Sequence, residues 1–138
     1  IYGSTKRLAE AIAKGVSEED VNVKMIDVND TDPQFIRDAI ERADGIIVGS
    51  PTIVGDAPIP VWDALALLSS VKFKIKLGAA FGSYGWSGEA TKMVEDRLSG
   101  VHIKLHKPSF RVKLIPEDKT LKECQEFGKE FTVALKQK

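Results

Sequence analysis

The sequence predicts an α/β protein built on a doubly wound, parallel, five-stranded sheet in the order 2-1-3-4-5. Three observations carry that prediction. Apolar runs of strand length alternate along the chain with stretches whose apolar residues recur at helical spacing. One run, Gly45 to Gly49 (Gly-Ile-Ile-Val-Gly), is continuously apolar, as expected of a central strand covered on both faces by helices. Loops rich in glycine, proline and hydroxyl residues follow the predicted strands, at the edge where an open parallel sheet gathers its ligands.

Taken in order, the chain opens on Tyr2-Gly3-Ser4-Thr5 and passes directly into a helix from Thr5 to Gly15, with Leu8, Ala9, Ile12, Ala13 and Val16 as its apolar stripe. Ser4 or Thr5 caps it. An alternating chain that opens on a loop lacks its first strand, so the sequence is expected to be a fragment of a longer one. Val21, Val23, Met25, Ile26 and Val28 form the next predicted strand. Asp32-Pro33 then starts a helix with proline in its first turn, burying Phe35, Ile36, Ala39 and Ile40. After the strand at 45–49 comes Ser50 to Pro58, a long loop with exposed Ile53 and Val54. Pro60 begins a helix with Val61, Trp62, Leu65 and Leu68 inward, and Leu77 to Phe81 is the fourth strand.

Gly82 to Ala90 is the most distinctive stretch. Three glycines permit close approach of the backbone, and Tyr84 and Trp86 are flat aromatic groups where a loop meets water. Two arrangements fit: the rings face a planar ligand, or they fold back onto the core. The spacing Gly-x-x-Gly-x-x-Gly, after a late strand, is not the dinucleotide fingerprint. A helix follows, with Ala90, Met93, Val94 and Leu98 at helical spacing. Val101 to Leu105 is the fifth strand, with His102, Lys104 and His106 on its solvated face and Phe110, Val112 and Leu114 extending it or adding another. Thr120-Leu-Lys-Glu123 is a capping box opening a last helix with the stripe Leu121, Cys124, Gly128, Phe131 and Leu135.

Composition narrows the functions. At 138 residues the chain is a single domain spanning 1–138, without repeats or low-complexity tracts. With 20 basic and 20 acidic residues it is balanced, which suggests neither nucleic acid nor a membrane surface as partner. No apolar run has the length of a bilayer span, and a single cysteine fits a reducing, cytoplasmic setting. Two histidines on one strand, without an accompanying carboxylate or cysteine, do not make a metal site. Cys124 lies in a helical stripe and reads as packing. What remains is convergence: the loops at 1–5, 50–58 and 82–89 all fall at the carboxyl edge of the predicted sheet. The first of them places hydroxyls at a helix N-terminus, a candidate phosphate cradle and also an ordinary cap.

Tyr-Gly-Ser-Thr at 2–5, Ser-Pro-Thr at 50–52, Phe-Gly-Ser-Tyr-Gly-Trp-Ser-Gly-Glu-Ala at 81–90 and the helix segment Lys122 to Phe131 together resemble the flavodoxin domain of flavodiiron proteins, the A-type flavoproteins. The resemblance covers nearly the whole chain and implies noncovalent FMN. It implies that Gly3, Ser4 and Thr5 hold the phosphate. Pro51, Thr52, Ile53, Val54 and Gly55 then line one side of the isoalloxazine, and Ser83, Tyr84, Gly85, Trp86 and Gly88 the other. It further implies that the Gly55-Asp56 peptide reorients when the flavin is reduced. The implied function is electron transfer from rubredoxin or a flavin- or NADH-linked reductase to a diiron oxygen or nitric oxide reductase centre. That centre lies in a domain outside this sequence, within a head-to-tail homodimer. On that reading the chain is an electron carrier with no catalytic side chain of its own. Alternatives of the same fold are a freestanding carrier and an FMN-dependent quinone reductase. A flavin-free receiver module is disfavoured by Gly49-Ser50-Pro51, where a receiver needs an aspartate.

Overall fold

Two apolar faces on one strand organise the molecule. In the computed structural model, which describes residues 2–28, 30–49, 59–84, 89–106, 110–113 and 118–137 (of 2–6, 59–60, 83–84, 89–90, 110–113 and 118–120 the backbone alone), a parallel sheet of three strands is flanked by helices on both sides. The elements are α1 (Tyr2–Ser17), α2 (Pro33–Arg42), β1 (Gly45–Gly49), α3 (Ile59–Ala66), β2 (Leu77–Tyr84), α4 (Glu89–Gly100), β3 (Phe110–Lys113) and α5 (Asp118–Lys136), with a single 3-10 turn at Leu67–Ser69. The sheet order is β1-β2-β3. Register pairs Gly45 with Leu77, Gly49 with Phe81, Phe81 with Phe110 and Tyr84 with Lys113.

Alternation along β2 divides the core. Leu77, Ala79 and Phe81 join Leu8, Ile12, Cys124, Phe127 and Phe131 of α1 and α5 on one face. Ala80 faces the other way, with Ile36 and Ile40 of α2, Val61 and Leu65 of α3, and Val94 and Leu98 of α4. This is the double winding that the alternating pattern predicts. Flanking helices also cover β1, with Ile46 and Val48 on one face and Ile47 on the other, as expected of a strand buried on both faces; among the described residues it pairs with β2 alone.

Local chemistry accounts for most element boundaries. Asp32 caps α2 by accepting a 2.8 Å hydrogen bond from the Gln34 amide, and Pro33 occupies a first-turn position that needs no amide donor. Ile36 and Ile40 are buried as the spacing predicts, but Phe35 is 47% exposed, with the Lys24 ammonium 4.7 Å from its ring centroid. The buried stripe of α2 is one residue narrower than the spacing predicts. α5 begins at Asp118, ahead of the predicted capping box, and adds Phe127 and Thr132 to its buried face.

Two predicted strands are not strands. Residues 21–27 make no ladder pairing among the described residues, and Val23 and Met25 are exposed, while Ile26 and Val28 pack against the α2 side of the core. Apolar alternation there marks a half-covered segment without a paired neighbour among the described residues. Residues 101–105 end α4 instead: His102 has φ 67°, its amide donates to the Ser99 carbonyl (2.9 Å), and the Ile103 amide donates to the Leu98 carbonyl (3.1 Å). That pair of bonds is a Schellman cap, whose apolar residue after the left-handed position packs back on the helix. The alternation of Val101, Ile103 and Leu105 therefore arises from a cap followed by a single bridge between Leu105 and Gly78. The third strand of the described sheet is 110–113, so of the two arrangements open to Phe110 and Val112 the separate short strand is the one found.

α1 and α5 interlock closely. A Cβ placed on Gly15 would lie 1.9 Å from the Gln125 carbonyl oxygen, and one on Gly128 would lie 2.2 Å from the Ile12 carbonyl oxygen. Only glycine lets the two backbones approach this far. Beyond the end of α1, the Glu18 carboxylate receives Lys129 at 3.2 Å and the Gln125 amide, and the Lys136 ammonium donates to the Glu19 carbonyl. The Lys129 hydrogen bond, chiefly, holds the Glu18 carboxyl below its ordinary value against the opposing effect of burial.

Candidate functional site

All three strands point the same way, so their carboxyl ends share one edge. β1 stops at Gly49, level with Phe81. β2 continues through Gly82 and Ser83 to Tyr84, paired on its far side with β3 up to Lys113.

Contacts along α5 fix where α1 begins. At the amino end of β1, Gly45 faces Leu135 and Phe131 of α5. Lys136, at the end of α5, reaches Glu19 just past the end of α1, while Leu121, near the start of α5, lies beside Arg7, Ala11 and Lys14. The two helices therefore run parallel, with their carboxyl ends at the amino edge of the sheet and their amino ends toward its carboxyl edge. The first turn of α1 stands on the same edge as the exits of β1 and β2. Its leading amides have no intrahelical partner, and the helix dipole adds positive potential there.

The predicted site residues fall into two groups. Gly3, Ser4 and Thr5 lie within the first turn of α1, which starts at Tyr2, and not in a loop before the helix. This shift of three residues leaves them at the anion-attracting terminus, because the first turn is where the unpaired amides are. Ser83 and Tyr84 are the last residues of β2, not the start of a loop, since Val112 and Lys113 of β3 supply strand partners beyond Phe81. The backbone thus brings 3–5 and 83–84 to one edge. Pro51, Thr52, Ile53, Val54, Gly55, Gly85, Trp86 and Gly88 lie outside the described residues.

Other chemistry-bearing groups are engaged in packing. His102 sits in the α4 cap and His106 packs its ring against Phe127 and Phe131, with centroids 5.7 and 5.8 Å apart, so the two histidines do not share a strand face. Cys124 is fully buried in the α1–α5 core, and burial pushes its thiol up to about 12. Half-buried Trp62 lines a shallow groove with Met93, Asp96 and Arg97 between α3 and α4. Among the described residues no helix is long and apolar enough to cross a membrane. One contact escaped the sequence reading: Gly49 and Phe81, which are distant in sequence, meet where β1 ends, and a Cβ on Gly49 would lie 2.1 Å from the tip of the Phe81 ring.

A three-layer α/β/α fold is shared by many proteins, and the sequence match narrows it. Residues 1–128 match the flavodoxin family along their length. The chain belongs to the flavodoxin family. It is 48% identical over 129 residues to the type A flavoprotein fprA of Rhodobacter capsulatus, covering 93% of this chain and 30% of that protein. Among solved structures, a metal-soaked flavodiiron core from Synechocystis sp. PCC6803 superposes with a TM-score of 0.93 at 40% identity, over 99% of this chain and 34% of the other. The rubredoxin oxygen:oxidoreductase of the anaerobe Desulfovibrio gigas gives a TM-score of 0.93 at 28% identity, over 99% and 34%. The chain thus spans about a third of the length of these relatives, and it corresponds to the flavodoxin-like domain of type A, flavodiiron flavoproteins.

Flavodoxin-family domains bind FMN, and the geometry fits it. Free amides and two hydroxyl residues at the start of α1 suit a phosphate dianion.

Proposed function

We propose that this domain carries electrons on bound FMN. It takes them from a donor such as rubredoxin or a flavin- or NADH-linked reductase and passes them to a diiron oxygen or nitric oxide reductase centre in another part of the parent protein. The observation that carries this reading is the meeting of the α1 amino terminus with the ends of β1 and β2 at one edge. Support for the donor and acceptor comes from the names of the relatives, which include a rubredoxin oxygen:oxidoreductase and a flavodiiron core. A cytoplasmic location and a head-to-tail homodimer of the parent belong to the same proposal.

In this reading the amides and hydroxyls of Gly3, Ser4 and Thr5 hold the phosphate at the positive end of α1. Pro51, Thr52, Ile53, Val54 and Gly55 form one wall for the ring system. Ser83, Tyr84, Gly85, Trp86 and Gly88 form the other, with the aromatic residues offering flat faces. When bound, FMN supplies the redox chemistry. The chain positions it, excludes water from one face and sets its potential through hydrogen bonds and packing, without a side chain acting as acid, base or nucleophile.

Titrating the purified chain with FMN while following flavin fluorescence tests the reading. Quenching to a one-to-one end point, a yellow protein bleached by dithionite, and no NADH oxidation by the loaded domain alone are expected. Unquenched flavin at micromolar protein would refute FMN binding, and turnover of NADH with a quinone would favour the reductase alternative.

A further inference from the structure

We propose that Phe81 is a positioning residue for the cofactor edge, acting through the backbone of Gly49; the inference rests on the FMN reading above. Phe81 stands three residues before the end of β2 and is paired in register with Gly49 on one side and Phe110 on the other. Its ring does not simply stand on the α1–α5 face. The space where a Cβ of residue 49 would be is filled by the tip of that ring, with Cζ 2.1 Å from the position and both Cε atoms at 2.5 Å. Gly49 is the last residue of β1, so the ring is wedged against the backbone at the carboxyl end of that strand.

The same ring belongs to the buried cluster that contains Leu8 of α1, one turn beyond Thr5. It is 4% exposed, so it is held from all sides. One side chain therefore touches or shares a packed cluster with all three segments that meet at the edge. They are the start of α1, the end of β1 and the end of β2. A dense interior passes displacement on because it has no slack to absorb it. Shortening this ring lets the end of β1 settle relative to the start of α1 and the end of β2, while leaving the residues at those two ends unchanged.

Residue type fits the role. A β-branched or aliphatic side chain at 81 would be shorter and would leave the hollow at Gly49 empty. Any side chain at 49 would evict the ring. The pair is thus a lock in which one residue must be glycine because the other is phenylalanine, and neither requirement can be read from its own neighbourhood in the sequence.

The test compares Phe81→Leu, Gly49→Ala and the double variant with Val94→Ala, a control in the opposite core whose side chain is also fully buried. Each is measured for stability by urea denaturation, for FMN affinity by fluorescence quenching, and for the visible circular dichroism of bound flavin. Hydrogen exchange of the peptide from Gly45 onward is followed without FMN. Phe81→Leu is expected to weaken FMN at least about tenfold, to change the flavin dichroism and to speed exchange after Gly45. Val94→Ala should lose stability and change none of these. The double variant should lose less affinity than the two single losses together, because shortening the ring makes room for the new methyl group. Wild-type affinity, dichroism and exchange in Phe81→Leu would overturn the proposal, as would equal changes in Val94→Ala. If the unaltered chain takes up no FMN, the FMN reading itself falls, and faster exchange after Gly45 in Phe81→Leu would still show the wedge at work.

Discussion

His102 holds a left-handed backbone conformation that a side chain disfavours, and it does so because the α4 cap requires it. Replacing it with glycine keeps both cap hydrogen bonds and removes the steric penalty. His102→Gly is therefore expected to stabilise the domain by up to about 1 kcal/mol, read as a higher urea midpoint; a lower midpoint would mean that the imidazole has a contact worth more than the relief of strain. Cys124 shows the opposite situation, a residue whose chemistry is suppressed by its place. Its folded thiol sits near 12 against an ordinary 9.0 because burial disfavours the thiolate. The folded state thus binds the proton more tightly than the unfolded state. Its contribution is whole below about pH 9 and is lost as pH rises from there toward 12. A thiol reagent at pH 8 should label Cys124 only at the rate of unfolding, and Cys124→Val should flatten the fall in stability above pH 9. Rapid labelling of the native protein would contradict this account.

Pairs of elements show what residue patterns leave out. Gly15 and Gly128 look like weak points in their helices, since glycine disfavours helix by about 1 kcal/mol relative to alanine. Each is matched to a carbonyl on the partner helix, Gly15 to Gln125 and Gly128 to Ile12. Gly128→Ala gains that propensity but drives a methyl group into backbone that no rotamer change can relieve, and overpacking of this kind costs about 1–3 kcal/mol. A net loss in thermal unfolding is expected. Gly100→Ala at the end of α4 meets nothing within 4 Å and should be neutral or slightly stabilising. Equal behaviour of the two variants would remove the interlock from the explanation.

Helical stripes were legible because burial and spacing agree: Ile36 and Ile40, Val94 and Leu98, Cys124 and Phe131 are inside as their periods require. Strands were less so. The alternation at 101–105 conceals a helix cap, and at 21–27 it has no pairing partner among the described residues. Pairing is a property of two segments, and neither sequence stretch contains its neighbour. The same reason hid the Gly49–Phe81 contact, while the edge at which 3–5 and 83–84 meet followed from topology alone.

At the scale of the whole molecule, the proposed cofactor would span α1, β1 and β2, and so would tie one helical layer to the sheet at its carboxyl edge. A ligand that binds the folded chain and not the unfolded one stabilises it by RT ln(1 + [L]/Kd), about 2.7 kcal/mol at a hundredfold excess over Kd. In a domain of this size that corresponds to a rise in Tm of roughly 10 °C. Riboflavin has the same ring system without the phosphate, so it loses the interaction with the free amides at the start of α1. At matched concentrations it is expected to raise Tm less than FMN, and the gap should narrow when inorganic phosphate is added to compete at that terminus. Thermal scans with FMN, riboflavin and buffer alone separate the contributions. Equal shifts from FMN and riboflavin would place the phosphate away from α1, and no shift from either would remove the cofactor from this edge altogether.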